Sequence, residues 1–297
     1  MDTMQMVDAH VHFWDPTINY YPWLNDRPLI PFRYGDYSAI CLPYRPDDYK
    51  RDAKRHNVVK TVYIEAEWDP KDPVGEMEYI ARLRRETGWP NAAVGQAWLD
   101  RSDWPSVLER LARFDFIRGV RHKPRSNPKP GLSEPCSMAD PRWVEGYARL
   151  AGYGFRFDLQ TPWWHLHEAA QLADRYPEIP MILLHSGLPA DRSAEGIAGW
   201  KKAMAILARR PNAFAKISGI GLPGQPWLVE NNRDIVRTII ELYGVDRCIF
   251  GSNFPVDSVC GDLDTIFSGY KEITAELGAD AQTKLFHDNA VRIYDVR

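Results

Sequence analysis

His10 and His12 stand two residues apart in Val7-Asp8-Ala9-His10-Val11-His12-Phe13-Trp14. In an extended strand, residues i and i+2 point to the same face. Two imidazoles therefore converge on one small volume at the end of a short apolar strand, expected over Gln5 to Ala9. Neutral imidazole is a ligand for a Zn2+-type ion. Without a metal, the same pair could bind an anion or carry proton traffic. The spacing recurs in Trp163-Trp164-His165-Leu166-His167. There it heads an expected helix, on which i and i+2 diverge, so the second pair is set aside. His56 and His287 fall in helical stretches and read as surface residues.

Elements must carry these groups to one place. Short apolar or alternating runs read as strands: the first strand, then Lys60 to Glu65, Ala92 to Leu99, Ile117 to His122, Phe155 to Gln160, Met181 to His185, Ala213 to Ser218 and Arg247 to Gly251. Helical patterns follow them, among them Pro73 to Thr87, Ser102 to Phe114, Pro141 to Ala151, His165 to Tyr176, Glu195 to Arg209 and Ile235 to Tyr243. Two long segments read as loops, Asp15 to Tyr44 and Lys123 to Asp140; the first, rich in aromatics, is expected to cover a pocket mouth. Alternating β and α in one chain argue a parallel sheet with helical crossovers. Eight such units in 297 residues argue an α/β fold of the closed (β/α)8 TIM-barrel type, one domain over residues 1–297. No glycine-rich turn follows the first strand, which speaks against a dinucleotide fold.

Composition sets the outer limits. With 44% hydrophobic and 26% charged residues the chain is an ordinary globular protein. A net charge of −3 offers no field for nucleic acid or an acidic membrane. There is no apolar run of membrane-spanning length, and MDTMQMVDAH lacks the basic region and hydrophobic core of a secretion signal. Cys41, Cys136, Cys248 and Cys260 show no CxxC spacing and read as free thiols of a cytoplasmic protein. The partner expected is a small molecule, and self-association is left open.

Active sites of such barrels lie at the C-terminal ends of the strands. The polar residues expected there are His10 and His12, Glu65 and Glu67, Arg121, His122 and Lys123, Asp158 and Gln160, His185, Lys216 and Ser218, and Ser252, Asn253 and Asp257. Such a set is a poor way to build a core, because each buried charge needs a partner. Lys216 could equally pair with a barrel carboxylate in a structural role.

HxH after the first strand, HSGLP (His185 to Pro189) after the sixth and GSNFPVD (Gly251 to Asp257) after the eighth resemble the amidohydrolase superfamily. More narrowly, they are similar to its amidohydrolase-related branch, which includes sugar-acid lactonases and 2-pyrone-4,6-dicarboxylate lactonase. VDAHVHFWDP followed by YPWL (Tyr21 to Leu24) is especially similar to the sugar-acid lactonases. The resemblance implies a barrel that hydrolyses a cyclic ester, with metal dependence varying within the branch. Two positions depart from the pattern. The strand-eight motif usually holds Asp, as general base or metal ligand; here it holds Asn253. An amide has no titratable acceptor and is a weak metal ligand. Gln160 stands where metal-rich members place a His after strand five. Both changes speak against two metals and leave one divalent ion, zinc by its ligands, or none.

Lactone hydrolysis needs an attacking water, a base, and donors around the developing oxyanion. The candidates are His10, His12, His185, Glu65 and Asn253 for catalysis, with His10, His12 and His185 as ligands if a metal is bound. Arg121, His122, Lys123, Gln160 and Asp257 are candidates for holding substrate. His185, Glu65 or Asp257 could take over the base role that Asn253 lacks. Two other readings stay open: a zinc-dependent decarboxylase of the same superfamily, and a barrel that binds a small acid without turning it over.

Overall fold

A computed structural model of the protein describes residues 4–297. Residues 1–3 of the N-terminal stretch discussed above lie outside the described residues. Eight strands, β1 (Met6–Val11), β2 (Val58–Ile64), β3 (Ala92–Gln96), β4 (Ile117–His122), β5 (Arg156–Leu159), β6 (Met181–Leu183), β7 (Ala213–Ile217) and β8 (Cys248–Phe250), pair in chain order. Every pairing is parallel, as in Val11 with Tyr63, Val94 with Gly119 and Ile217 with Phe250. Helices cross back between the strands, so the expected (β/α)8 barrel is observed.

The seam between β8 and β1 closes the barrel just beyond β8. Val11 forms a parallel bridge with Phe254; Asn253 donates its N–H to the His10 carbonyl at 2.8 Å, and His12 donates to the Phe254 carbonyl at 2.8 Å. The buried Asp8 carboxylate ties the same seam, accepting from the backbone N–H of Ser252 at 2.9 Å and of His10 at 3.1 Å, and from the Tyr49 hydroxyl at 2.7 Å. Pairing along this seam carries β1 past the expected end at Ala9, so His10 lies in the strand and His12 just after it.

The barrel interior is filled by small and β-branched side chains, among them Val7, Ala9, Val62, Ile64, Val94 and Ile182. Ile293, Tyr294 and Val296 of the C-terminal segment join the same cluster. A fully buried ion pair sits inside: Lys216 donates to Asp158 at 2.9 Å, the Tyr294 hydroxyl donates to the same carboxylate, and the ammonium lies 4.6 Å from the Tyr294 ring centre. Lys216 and Asp158 are thus mutual partners in the structural role left open for the lysine. The outer core packs crossover helices on the sheet through residues such as Met77, Leu108, Trp143, Trp200 and Ile239.

Local differences from the expected elements have local causes. The stretch Asp15 to Tyr44 holds one helical turn, Pro22–Asn25, with proline in its first turn. The helix expected over Pro141 to Ala151 is divided at Arg149 into Pro141–Ala148 and Leu150–Tyr153, ending on the left-handed Gly154. The helix expected from Ile235 starts at Val229, and the buried Asn232 in its first turns donates its side-chain amide back to the Leu228 carbonyl. All four cysteines are free. Among the described residues, no helix is long and apolar enough to cross a membrane.

Candidate active site

The strand ends deliver their side chains to one mouth. His10 and His12 bring their Nε2 atoms within 3.2 Å, and the His10 ring lies 4.7 Å, centre to centre, from that of His185. Asn253 brings Oδ1 within 3.4 Å of His12 Nε2. A cavity of about 340 Å3 opens above, lined among others by His12, Arg121, Lys123, Gln160, His185 and Asn253. His10 is fully buried and does not line the cavity itself; it packs against His12 and His185, which do.

The backbone is strained where these groups emerge. Six described non-glycine residues have positive φ, and five of them lie at this mouth: Glu67, His185, Ser186, Leu188 and Asn253. Such conformations persist where the surroundings over-determine them, and they cluster at functional sites. Gly219, at φ +59°, leaves room for the site: a Cβ there would meet His185 Nδ1 at 2.4 Å and Arg33 Nη2 at 2.6 Å.

Burial keeps all three imidazoles neutral. It pushes His12 down to about 3, helped by the nearby Arg121 guanidinium. His10 is held well below its ordinary value by burial, with His185 and Lys216 adding repulsion. His185 is held down likewise, with Arg33 and Arg121 adding to the effect. The His12 Nδ1–H donates to the Ile64 carbonyl at 2.8 Å, which leaves the Nε2 lone pair facing His10. His185 uses Nδ1 on the Ser218 hydroxyl at 3.1 Å.

The His10–His12 pair can be tested against a divalent ion. Two imidazole nitrogens on a tetrahedral Zn2+, each at about 2.05 Å, would lie roughly 3.3 Å apart. The observed separation is 3.2 Å. With a lone pair on His12 Nε2, the space between the rings must hold either a proton from His10 or a cation. In either case His10 Nδ1 is buried and has no hydrogen-bond partner among the described residues. The separation and the two neutral nitrogen donors fit a two-histidine anchor for an ion. His185 does not complete a three-ligand set: one trio of His, Cys, Asp or Glu among the described residues places its ligand atoms within 4.8 Å, and it is Cys136, His165 and Glu168.

That trio has another occupation. Glu168 accepts from His165 Nδ1 at 2.6 Å and from the Cys136 N–H at 2.8 Å, and His165 Nε2 accepts from the Asn127 N–H at 2.9 Å. These bonds use both ring nitrogens and both carboxylate oxygens, and they pin the segment 123–140 to the helix Leu166–Arg175.

The other sequence-designated residues take distinct places. Arg121 is nearly fully buried; it is ion-paired with Glu65, donates to the Glu65 carbonyl, and reaches Gln160 Oε1 at 3.2 Å. Glu65 also accepts from the Glu67 N–H at 2.7 Å and from Gln96 at 3.2 Å, so its carboxylate is already saturated. His122 does not line this cavity: its Nδ1 accepts from Trp143 Nε1 at 2.9 Å and from the Leu99 N–H at 3.1 Å, and burial pushes it down to about 4. Asp257 sits behind Asn253, accepting from its Nδ2 at 2.6 Å, and this bond turns the Asn253 oxygen toward His12. Burial raises Asp257 to about 6 against the opposing pull of Arg33.

Five lining residues from one loop had no specific signal in the sequence. Trp23, Ile30, Pro31, Phe32 and Arg33 come from the long segment after β1. The covering role of that segment was legible; which of its side chains turn inward was not. Glu67 was legible as a strand-end carboxylate and is ion-paired with Lys123 at the rim.

Comparison with known proteins agrees with this architecture. Residues 7–296 match the family model described as Amidohydrolase. Uncharacterized protein y4mH of Sinorhizobium fredii is 36% identical over 299 residues, covering 100% of each chain. An L-fucono-1,5-lactonase of Burkholderia ambifaria is 26% identical, over 98% of this chain and 95% of its own. Among solved structures, an amidohydrolase of Burkholderia multivorans with bound zinc superposes with a TM-score of 0.79 at 21% identity, covering 99% of this chain and 100% of that one.

Proposed function

The chain belongs to the amidohydrolase family, and from that premise we propose that it opens a small lactone of a sugar acid by attack of water. The observation that carries this reading is the convergence of His10, His12, His185 and Asn253 on one cavity mouth. The lactonase relative supports the bond class.

In this reading the lactone lies in the cavity with its carbonyl toward the imidazoles. His185, neutral and with Nδ1 fixed on Ser218, takes the proton of the attacking water. Asn253 orients that water through Oδ1; its carboxamide cannot rotate because Nδ2 is held by Asp257. Asp257 is a positioning residue, one bond removed from the reacting atoms. Arg121 and Lys123 place positive charge where the carbonyl oxygen becomes an oxyanion. Water adds to the carbonyl carbon, the ring C–O bond breaks, and the former ring oxygen takes the proton held by His185 to become a hydroxyl of the open acid. Where a divalent ion is bound, His10 and His12 hold it, and it supplies Lewis-acid polarisation.

A panel of single-ring aldono-1,5-lactones followed by acid release tests the proposal. Hydrolysis above the spontaneous rate, falling at least about 100-fold in His185→Asn with the fold intact, is the expected result. Release of CO2 from aromatic acids, or tight acid binding without turnover, would replace it. Metal analysis of the purified protein, with and without chelator, reads the ion at His10 and His12.

A further inference from the structure

A second cavity, of about 470 Å3, adjoins the first. The two share Trp23, Ile30, Glu67, Arg121 and Lys123, so they are one space divided by the Lys123–Glu67 ion pair. Opening a lactone ring produces a single molecule and releases no second fragment. The reaction itself therefore gives no use for the extra room.

The walls of this cavity have a definite chemistry. Trp23, Trp68 and Trp98 supply three indoles. Trp23 is fixed by its Nε1 bond to the Ala66 carbonyl at 2.8 Å and by Phe32 stacked at 6.0 Å. Trp68 is wedged edge-on against Tyr21 at 5.1 Å and lies beside Tyr79 at 6.0 Å. Trp98 has the Arg101 guanidinium 4.9 Å from its ring centre. Asp26 and Glu67 add carboxylates, which only accept hydrogen bonds. Rigid indole faces take the C–H faces of a sugar ring, while carboxylates take its hydroxyls. Asp26, Glu65 and Glu67 stand against Arg121 and Lys123 in these walls, two of the carboxylates being ion-paired, so the cavity has no excess of positive charge to favour an anionic group. Glu67, which faces both cavities, is held in the left-handed region at φ 57°, with its N–H on Glu65 Oε2.

We propose that this second cavity is a subsite for a neutral sugar ring carried on the lactone, so that the preferred substrate is a glycosyl-substituted aldonolactone. The inference rests on the lactonase reading for the reaction and on the two-part cavity for the specificity.

The test compares a two-ring lactone, cellobiono-1,5-lactone, with single-ring glucono-1,5-lactone. Trp98 lines the second cavity and is not among the residues lining the first. Trp98→Ala is expected to lower kcat/KM for the two-ring lactone at least 10-fold while leaving the single-ring value within twofold. The single-ring value also reports that the variant is folded, and Trp98→Phe should recover most of the loss. Equal effects on both substrates, or no effect on either, would overturn the subsite and leave the lactonase reading standing. Calorimetric titration with cellobionate separates the opposite failure. If neither lactone is hydrolysed but cellobionate binds the wild type at least 10-fold tighter than Trp98→Ala, the subsite stands and the lactonase reading falls; equal binding, or none, overturns both.

Discussion

The chain contains two His-x-His sequences, and the fold puts them to opposite uses. His10 and His12 flank the end of a strand, and their Nε2 atoms meet at 3.2 Å beside a cavity. His165 and His167 begin a helix, and only His165 is buried; its ring is consumed by Glu168 and Asn127, while His167 is exposed. Spacing alone does not make a site. A period of two places i and i+2 together only on extended backbone; one helical step of the same spacing sends one ring into a clamp and the other into solvent.

Substitutions at the two pairs should separate activity from stability. The largest effect is expected at the strand pair: His12→Asn should cost on the order of 100- to 1000-fold in kcat/KM with little change in Tm, measured by steady-state lactone hydrolysis and thermal melts. A loss below about 10-fold would remove the strand pair from the chemistry. Next comes the cradle that holds the third imidazole. Gly219→Ala puts a methyl group 2.4 Å from His185 Nδ1 at a positive φ, and about 10- to 100-fold in kcat should be lost as the ring is displaced.

The helix pair should respond in the other currency. His165→Asn leaves the Glu168 carboxylate and the Asn127 N–H without their buried partner, so about 1–3 kcal/mol of stability should go, read by denaturant titration, with kcat within a few-fold. His167→Asn, at an exposed position, should stay within about 0.5 kcal/mol of the parent. A kcat loss in His165→Asn as large as that of His12→Asn would erase the contrast.

A different effect is a matter of pH. Asp257 is raised by burial from its ordinary value of 3.8 to about 6. The folded state thus holds this proton more tightly than the unfolded chain does. The resulting stability is fully present below about pH 4 and is lost as pH rises through 6. Asp257→Asn keeps an oxygen to accept from Asn253 and removes the titration. The difference in Tm between variant and parent should grow in the variant's favour from pH 4 to 7, and a pH-independent difference would show that Asp257 is not raised.

Much of this was legible because periodicity carries it. Alternating and short apolar runs located all eight strands, and the barrel rule then told which ends to inspect. The groups on strand ends, His12, Arg121, Lys123, Gln160, His185 and Asn253, accordingly appear around one cavity. Two strand-end residues serve elsewhere for reasons invisible in one dimension. His122 accepts from Trp143, a residue of a distant helix, and Glu65 is saturated by Arg121, Gln96 and its own loop. The inward turn of Trp23 and of Ile30, Pro31, Phe32 and Arg33 depends on the path of a long loop, and loop paths are set by tertiary packing rather than by a repeating pattern.

The seam between the first and last strands carries one more consequence. His10 offers its carbonyl to Asn253, and His12 its amide to Phe254, so halves of the proposed reaction centre lie some two hundred and forty residues apart along the chain. A nascent polypeptide still missing its eighth strand owns His10, His12 and His185 but neither Asn253 nor the seam that sets it beside them, and in the proposed mechanism it would be inactive. Turnover in a refolding experiment would therefore time the last stitch of the cylinder, and an early-terminated product would be silent however much of it had already collapsed.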